Sequence, residues 1–389
     1  MGTNKPNKQR ILEVVSYFFP ALSYGGPAKV VYDLSKELSK KNQITVYTTD
    51  VWDEERRIKE SEKLKNSQNF KVCYFLNIIN SLVFSQRFFT GFGMVKKYWQ
   101  ERDSFDIIHI HDLFIFPQIL ITYIARIFKK PYFISPHAVL DPVRLKRRHF
   151  LKKMIFVLMG KGVLSHAEKI IATSDNEAAV LRNLGFDNVA VVYNGISTLK
   201  CNPSRKFSKF RKETLTLLYI GKIHPLKGLA ELLKALSGAK FNYQLLIAGP
   251  DDGGKKKLES EIENLGIKNI YFLGFVDENE KAELFSFTDI FVHPSLSEGF
   301  SMSILGALKY SKPVLITSAC NFPDVTGYNA GLVLPGKRLA KEIRETLTKM
   351  NDNREMLKTM GKNARNLVTD KYSIEAMARR VKKIYGLSD

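Results

Sequence analysis

Residues 289–308 read DIFVHPSLSEGFSMSILGAL, and the order of residue types in this stretch decides how the chain is built. The apolar run DIFVHPS (289–295) has the length of a buried strand. Glu298 and Gly299 interrupt it with a carboxylate and a flexible backbone. From Phe300 onward apolar residues recur at helical spacing. The pattern is a strand, a tight loop and a helix start. A helix start leaves backbone N–H groups without intrahelical acceptors at the positive end of the macrodipole, so it holds anions. A carboxylate beside it suits hydroxyls or developing positive charge, and a phosphorylated sugar offers both kinds of partner. An ordinary βα turn with a surface glutamate uses the same residue types, so the rest of the chain must carry the distinction.

Working outward, the same alternation recurs. RILEVVSYFF (10–19), NQITVYTT (42–49), KVCYFL (71–76), DIIHIH (106–111), PYFISPH (131–137), KIIATS (169–174) and NVAVVYNG (188–195) read as strands of a first half. PAKVVYDLSKELSKK, FPQILITYIARIFKK and DNEAAVLRNLG read as its helices. The second half repeats the theme with LTLLYIG (215–221), YQLLIAG (243–249), NIYFLGF (269–275), DIFVHPS, KPVLITS (312–318) and AGLVL (330–334). Helices such as LAELLKALSG and AKEIRETLTKM lie between them. Strands alternating with helices predict an α/β protein with two Rossmann-like, doubly wound parallel-sheet domains. The polar, basic stretch 197–212 marks the seam. The expected domains are 1–200 and 201–371, with the amphipathic C-terminal helix within 372–389 packing back on the first. Ligands of such sheets bind at the carboxyl ends of the strands, so the expected site is a cleft that the two sheets face.

Composition narrows the function classes. The 389 residues suffice for two cores, and 44% hydrophobic with 25% charged residues is the balance of a globular protein. A net charge of +21 favours anionic partners. Without a zinc-ligand pattern or an aromatic RNA motif, nucleic acid is not the expected one. Cys73, Cys201 and Cys320 form no C-x-x-C pair, which fits a reducing compartment. No secretory signal opens the sequence, and its most apolar stretch, 113–128, is too short to span a bilayer, so a cytoplasmic location is expected.

Four further features bear on chemistry. YGGPAKVV places Gly25 and Gly26 where a backbone can approach a ligand closely, with Pro27 pre-organised for a helix start. It lacks the G-x-G-x-x-G spacing, so a dinucleotide site is not predicted. YIGKIHPLKGL sets Lys222 and Lys227 around a strand-to-helix loop, where two cations can clamp a diphosphate or equally stand as two solvated lysines among the sixty Lys and Arg of the chain. His109 and His111 share a strand face by alternation, and His137 ends another strand, placed to donate a hydrogen bond to a ligand. No His, Cys and carboxylate set has metal-ligand spacing, and no metal is expected. From Pro142 to Ala167 there is no acidic residue, while Arg144, Lys146, Arg147, Arg148, Lys152 and Lys153 interleave with bulky apolar groups. That composition suits an anionic membrane surface, or equally a core helix with a solvated basic face.

Taken in order, YGGPAKVV, ISPHAVLDP, IIATSDNEA, VVYNGI, YIGKIHPLKGL, LLIAGPDDGG, YFLGFV and HPSLSEGFSMSILGALKYSKPVL make the chain resemble the family 4 (group 1) glycosyltransferases over nearly its whole length. The resemblance implies the GT-B fold and a retaining transfer of a sugar from a nucleotide-diphosphate donor, uridine rather than guanosine, without metal or other cofactor. It puts Lys222 and Lys227 on the leaving diphosphate, and Gly25, Gly26 and His111 near the diphosphate and acceptor. Glu298 matches the first carboxylate of the family's Glu-x7-Glu motif, beside the transferred sugar, and Gly299, Phe300 and Ser301 would offer backbone N–H groups. Phe275 and Val276 match the loop that meets the base, and His137 a histidine near the donor sugar. At the second glutamate this chain has Gly306, which removes the usual partner of the ribose hydroxyls. The function implied is extension of a lipid-linked or polysaccharide acceptor in exopolysaccharide or lipopolysaccharide assembly, peripheral on the inner face of the cell membrane. The alternatives are a donor-binding pseudoenzyme and a transferase using a soluble sugar acceptor.

Overall fold

The computed structural model describes residues 8–21, 26–53, 56–64, 70–78, 89–140, 159–199, 201–210 and 214–387. Its strands are β1 (Arg10–Val14), β2 (Gln43–Thr49), β3 (Lys71–Phe75), β4 (Ile107–His111), β5 (Tyr132–Ser135), β6 (Lys169–Ala172) and β7 (Val189–Val191). They continue as β8 (Leu215–Ile220), β9 (Tyr243–Ala248), β10 (Ile270–Gly274), β11 (Ile290–His293), β12 (Val314–Thr317) and β13 (Gly331–Leu334). Every apolar run read above as a strand contains one of these. Most of their residues are buried, as strands covered on both faces require, which is why they read as near-continuous apolar runs.

Two sheets result, seven-stranded in the order β3-β2-β1-β4-β5-β6-β7 and six-stranded in the order β10-β9-β8-β11-β12-β13. All the ladder pairings are parallel. Strand order reverses between β1 and β4 in the first sheet and between β8 and β11 in the second. These reversals are the switch points where doubly wound sheets open a crevice at their carboxyl ends.

The chain divides into two compact units, one ending at Gly195 and resumed from Ile374, the other Ile196–Ser373. Each has its own core. In the first, Leu12, Val14, Ile108, Ile110 and Ile134 meet Ile119, Ile121 and Ala125 of the helix Phe116–Ile127. In the second, Leu217, Tyr219, Leu245 and Ile247 meet Leu232, Leu233 and Leu236 of the helix Leu229–Ser237. The helix Ile374–Ile384 packs on the helix Gly26–Leu38 of the first unit. Among the described residues no helix is long and apolar enough to cross a membrane.

Candidate functional site

In the first unit the strand register assembles a polar patch at the β1/β4 switch point. Glu13 pairs with His109, and His111 with Ser135. Alternation turns Glu13, His109, His111, Phe133 and Ser135 to one face, opposite the apolar core residues. Glu13 is fully buried, a costly position for a carboxylate unless it is hydrogen-bonded. His111 Nε2 lies 2.7 Å from Glu13 Oε2, and His109 Nδ1 lies 3.2 Å from the same oxygen. Tyr385, just past the last helix, sets its hydroxyl 2.7 Å from His109 Nδ1, and His109 Nε2 is 2.8 Å from Ser135 Oγ. Burial alone would raise the Glu13 pKa, but its contacts with His109 and His111 more than offset this and hold it at about 2. Burial and the neighbouring His109 bring His111 down to about 4, against the opposing pull of Glu13.

His111 Nδ1 in turn lies 3.1 Å from Nε2 of His137, whose ring stacks on that of His111. His137 and Ala138 both adopt left-handed backbone, φ 54° and 59°, uncommon outside glycine. Glu177, buried on the helix Asp175–Asn183, secures that turn. One carboxylate oxygen accepts the Ala138 N–H at 2.5 Å, and the other accepts the N–H and hydroxyl of Thr173 at 2.8 and 2.7 Å. Burial and the nearby imidazoles hold His137 well below the ordinary histidine range, so it is neutral at pH 7.

In the second unit the β8/β11 switch point carries the other cluster. β8 ends at Ile220, and the chain continues through Lys222 to a 3-10 turn, Pro225–Lys227, capped by the His224 ring. Gly228 follows in left-handed conformation, φ 69°, and starts the helix Leu229–Ser237. A Cβ at Gly228 would sit 1.9 Å from the Pro294 carbonyl oxygen, so only glycine lets this loop approach the one after β11. The two loops are also joined by hydrogen bonds to the Leu226 carbonyl from Leu296 N–H (2.8 Å) and Ser295 Oγ (3.1 Å).

This junction places Lys227 against Glu298, whose Oε1 also accepts from His293 Nε2 at 2.7 Å. The His293 ring is held between Tyr219 and Phe291, nearly parallel to both, and its buried Nδ1 has no hydrogen-bond partner. Asn321 donates to the Glu298 carbonyl at 2.7 Å, and Glu298 N–H donates to Ala319 at 3.1 Å. Burial would raise the Glu298 pKa, but contacts with His293 and Lys227 bring it to about 2. The carboxylate is therefore ionised, fixed through Oε1, and leaves Oε2 to accept from a ligand hydroxyl. Ser301 caps the helix Met302–Lys309 through Ile304 N–H, and the Phe300 ring packs at a tilt against Phe322 and Tyr372. Among the described residues Gly299, Phe300 and Ser301 donate no backbone N–H to another backbone carbonyl.

Of the other residues singled out in the sequence, Lys222 is half-buried, and its carbonyl accepts from the Tyr219 hydroxyl at 2.9 Å. Phe275 is 59% exposed at the carboxyl end of β10, whereas Val276 is buried. Gly26 opens the helix Gly26–Leu38. Gly25, Arg144, Lys146, Arg147, Arg148, Lys152 and Lys153 lie outside the described residues. His111, read above as facing a diphosphate or acceptor, is buried with both ring nitrogens engaged by Glu13 and His137, so it reaches a ligand only through His137.

Glu13, His293, Glu177 and Tyr385 were not picked out by the sequence reading. For Glu13 there was a signal: an acid inside the apolar run RILEVV that becomes buried if the run is a central strand. Chain spacing also hid a possible metal trio, since the ligand atoms of Glu13, His109 and His111 lie within 4.8 Å of one another. Those atoms are directed at each other, which describes a hydrogen-bonded network.

Comparisons with known proteins agree with this architecture. Residues 24–199 match the glycosyltransferase family 4 profile, and residues 202–367 match the profile of glycosyl transferases group 1. The O-antigen chain mannosyltransferase C of Escherichia coli is 22% identical over 97% of this chain and 98% of its own. The D-rhamnosyltransferase WbpZ of Pseudomonas aeruginosa is 26% identical over 71% of this chain and 72% of its own. HepE of Anabaena, solved with UDP and glucose, superposes with a TM-score of 0.74 at 20% identity, covering 97% of this chain and 99% of that one.

Proposed function

The chain belongs to the group 1 and family 4 glycosyltransferases, and from that premise we propose a retaining, metal-independent transfer of a sugar from a nucleoside-diphosphate donor to a lipid-linked or polysaccharide acceptor. The observation that carries this reading is the Lys227–Glu298–His293 arrangement beside Lys222 at the β8/β11 switch point. Breaking the glycosidic bond to a diphosphate puts negative charge on the departing phosphate and positive charge on the sugar. Fixed cations lower the energy of the first, and a fixed carboxylate that of the second. Lys227 keeps N–H donors free for phosphate while one engages Glu298. Glu298 Oε2 is left for a sugar hydroxyl, and the exposed ring of Phe275 offers a face for a base. His137 contacts the transferred sugar.

A relative named for O-antigen chain mannosyl transfer supports a glycan acceptor, and a structural neighbour holding UDP supports a uridine donor. The acid-free basic segment 142–167 supports work at the cytosolic face of the membrane. The test is turnover of UDP-, GDP- and ADP-sugars with lipid-linked and free glycan acceptors, with and without EDTA, following the anomeric configuration of the product by NMR. Transfer with inversion, or loss of activity on chelation, would refute the corresponding part. Cosedimentation with anionic liposomes at low salt checks the membrane part, and a protein left in the supernatant would refute it. Gly306 favours one other reading, a donor-binding protein without transfer activity, which binding without turnover on any acceptor or water would identify.

A further inference from the structure

The buried chain from Glu13 to His137 has a direction. An ionised carboxylate only accepts, so His111 Nε2, 2.7 Å from Glu13 Oε2, carries its proton toward Glu13. A neutral His111 then has a lone pair on Nδ1. The 3.1 Å contact to His137 Nε2 is a hydrogen bond only if His137 donates. His137, with one proton to place, has it on Nε2. Its Nδ1 is left unprotonated and has no partner among the described residues.

We propose that Glu13, acting through His111, fixes His137 in the Nε2-protonated tautomer, so that Nδ1 presents a lone pair to a hydroxyl of the transferred sugar. Glu13 and His111 are positioning residues, and His137 is the group that meets substrate. The left-handed turn at His137 and Ala138, held by Glu177, fixes where that ring stands, and the Glu13–His111 pair fixes which atom accepts. The role differs from the hydrogen-bond donor expected from sequence. An acceptor favours a sugar hydroxyl over the diphosphate oxygens, which themselves only accept. The depressed pKa of His137 agrees with a ring that stays neutral across the physiological range. The sugar part of the inference rests on the function proposed above, whereas the tautomer does not.

The first experiment is 15N NMR of the full chain labelled at histidine, without ligand, with the His137 signals identified by their loss in His137→Asn. The expected spectrum shows a neutral ring protonated at Nε2 and bare at Nδ1. A proton on Nδ1 overturns the proposal, as does a stoichiometric metal ion bound to Glu13, His109 and His111. In Glu13→Gln the amide can donate to His111, which reverses both bonds and moves the His137 proton to Nδ1. With UDP-glucose as the probe, that variant is expected to lose about 10–100-fold in kcat with KM within about twofold. Full kcat with the reversed tautomer refutes the relay, as does the loss of kcat with the tautomer unmoved, since the amide oxygen can also accept from His111 as the carboxylate does. If Glu13→Gln does not fold, the wild-type spectrum still decides the tautomer. Binding of UDP-glucose to the wild type should shift the Nδ1 resonance where UDP alone does not. A bound sugar nucleotide with no such shift refutes the hydroxyl contact. Failure of every sugar nucleotide to bind strikes the proposed function and leaves the tautomer decided.

Discussion

Replacing Gly228 by alanine tests whether the approach of two loops builds the donor site. Gly228 and Gly266 both adopt left-handed backbone, φ 69° and 63°, and both flank helices. An alanine in that conformation costs about 1–2 kcal/mol at either position. At Gly266 a Cβ meets nothing within 4 Å, so that is the whole cost. At Gly228 the Cβ would lie 1.9 Å from the Pro294 oxygen, and one of the two loops must retreat by more than about 1 Å to restore ordinary contact. The loop after β11 is tied down by the Leu296 and Ser295 bonds to Leu226 and by Glu298 N–H to Ala319. Retreat therefore loses one or two hydrogen bonds of about 1 kcal/mol each, with overpacking strain of about 1–3 kcal/mol. The sum is roughly 3–7 kcal/mol for Gly228→Ala against about 1–2 for Gly266→Ala. At about 2–4 °C per kcal/mol, calorimetry should show a Tm loss of roughly 6–28 °C for the first and about 2–8 °C for the second. The same movement separates Lys227 from Glu298. Saturating nucleotide sugar, worth about 2.7 kcal/mol at a hundred times Kd, should then stabilise wild type and Gly266→Ala but not Gly228→Ala. Equal Tm losses, or ligand stabilisation retained in Gly228→Ala, would refute the argument.

Four other outcomes follow from the geometry. Glu298→Gln keeps the shape but removes the charge between His293 and Lys227. It should lower kcat by about 100-fold or more in a turnover assay while the protein stays folded, and Lys222→Ala should weaken transition-state stabilisation by a similar factor. Gly306→Glu adds a carboxylate to the helix Met302–Lys309 where a Cβ meets only Phe285, at 3.9 Å. It should raise helix stability by several tenths of a kcal/mol and donor affinity by about tenfold or more in calorimetric titration; unchanged affinity would mean that the position does not face the ribose. Acid stability should fall in two stages. His111, depressed to about 4, binds a proton in the unfolded chain but not the folded one between about pH 6.5 and 4, so its contribution is lost as pH falls through that window. Glu13 and Glu298, both near 2, contribute stability that is full above about pH 4.5 and lost toward pH 2. Calorimetry against pH should resolve the stages. A Tm flat from pH 6.5 to 4 would contradict the buried neutral histidine, and Glu13→Gln should diminish the lower stage while deepening the upper one, because the upward pull of Glu13 on His111 is gone.

Much of the fold was legible because its signals are local. Thirteen apolar runs became thirteen parallel strands, since a strand covered on both faces needs a continuous apolar run, and the intervening helices announce themselves by period. The Glu298 loop was legible for the same reason: its strand, glycine and capping serine are neighbours in sequence. Site residues that depend on distant partners were not. Nothing adjacent to Glu13 shows that it will share a face with His109, ninety-six residues on, or that Tyr385 will close over both. The ring of His111 was read as facing a ligand because chain position cannot show that Glu13 and His137 occupy its two nitrogens.

The sequence by itself determined the elements, their alternation, the family resemblance and the residue types available at each loop. Tertiary structure alone decided which charges meet. β1 lies beside β4, and β8 beside β11, through pairings that skip intervening strands, and those long-range registers bring Glu13 to His111 and the Lys227 loop to Glu298. The physical reason is range. Backbone propensity and hydrophobic period act over a few residues, whereas the pKa of a buried carboxylate and the tautomer of an imidazole are set by groups within a few ångströms, wherever in the chain they come from.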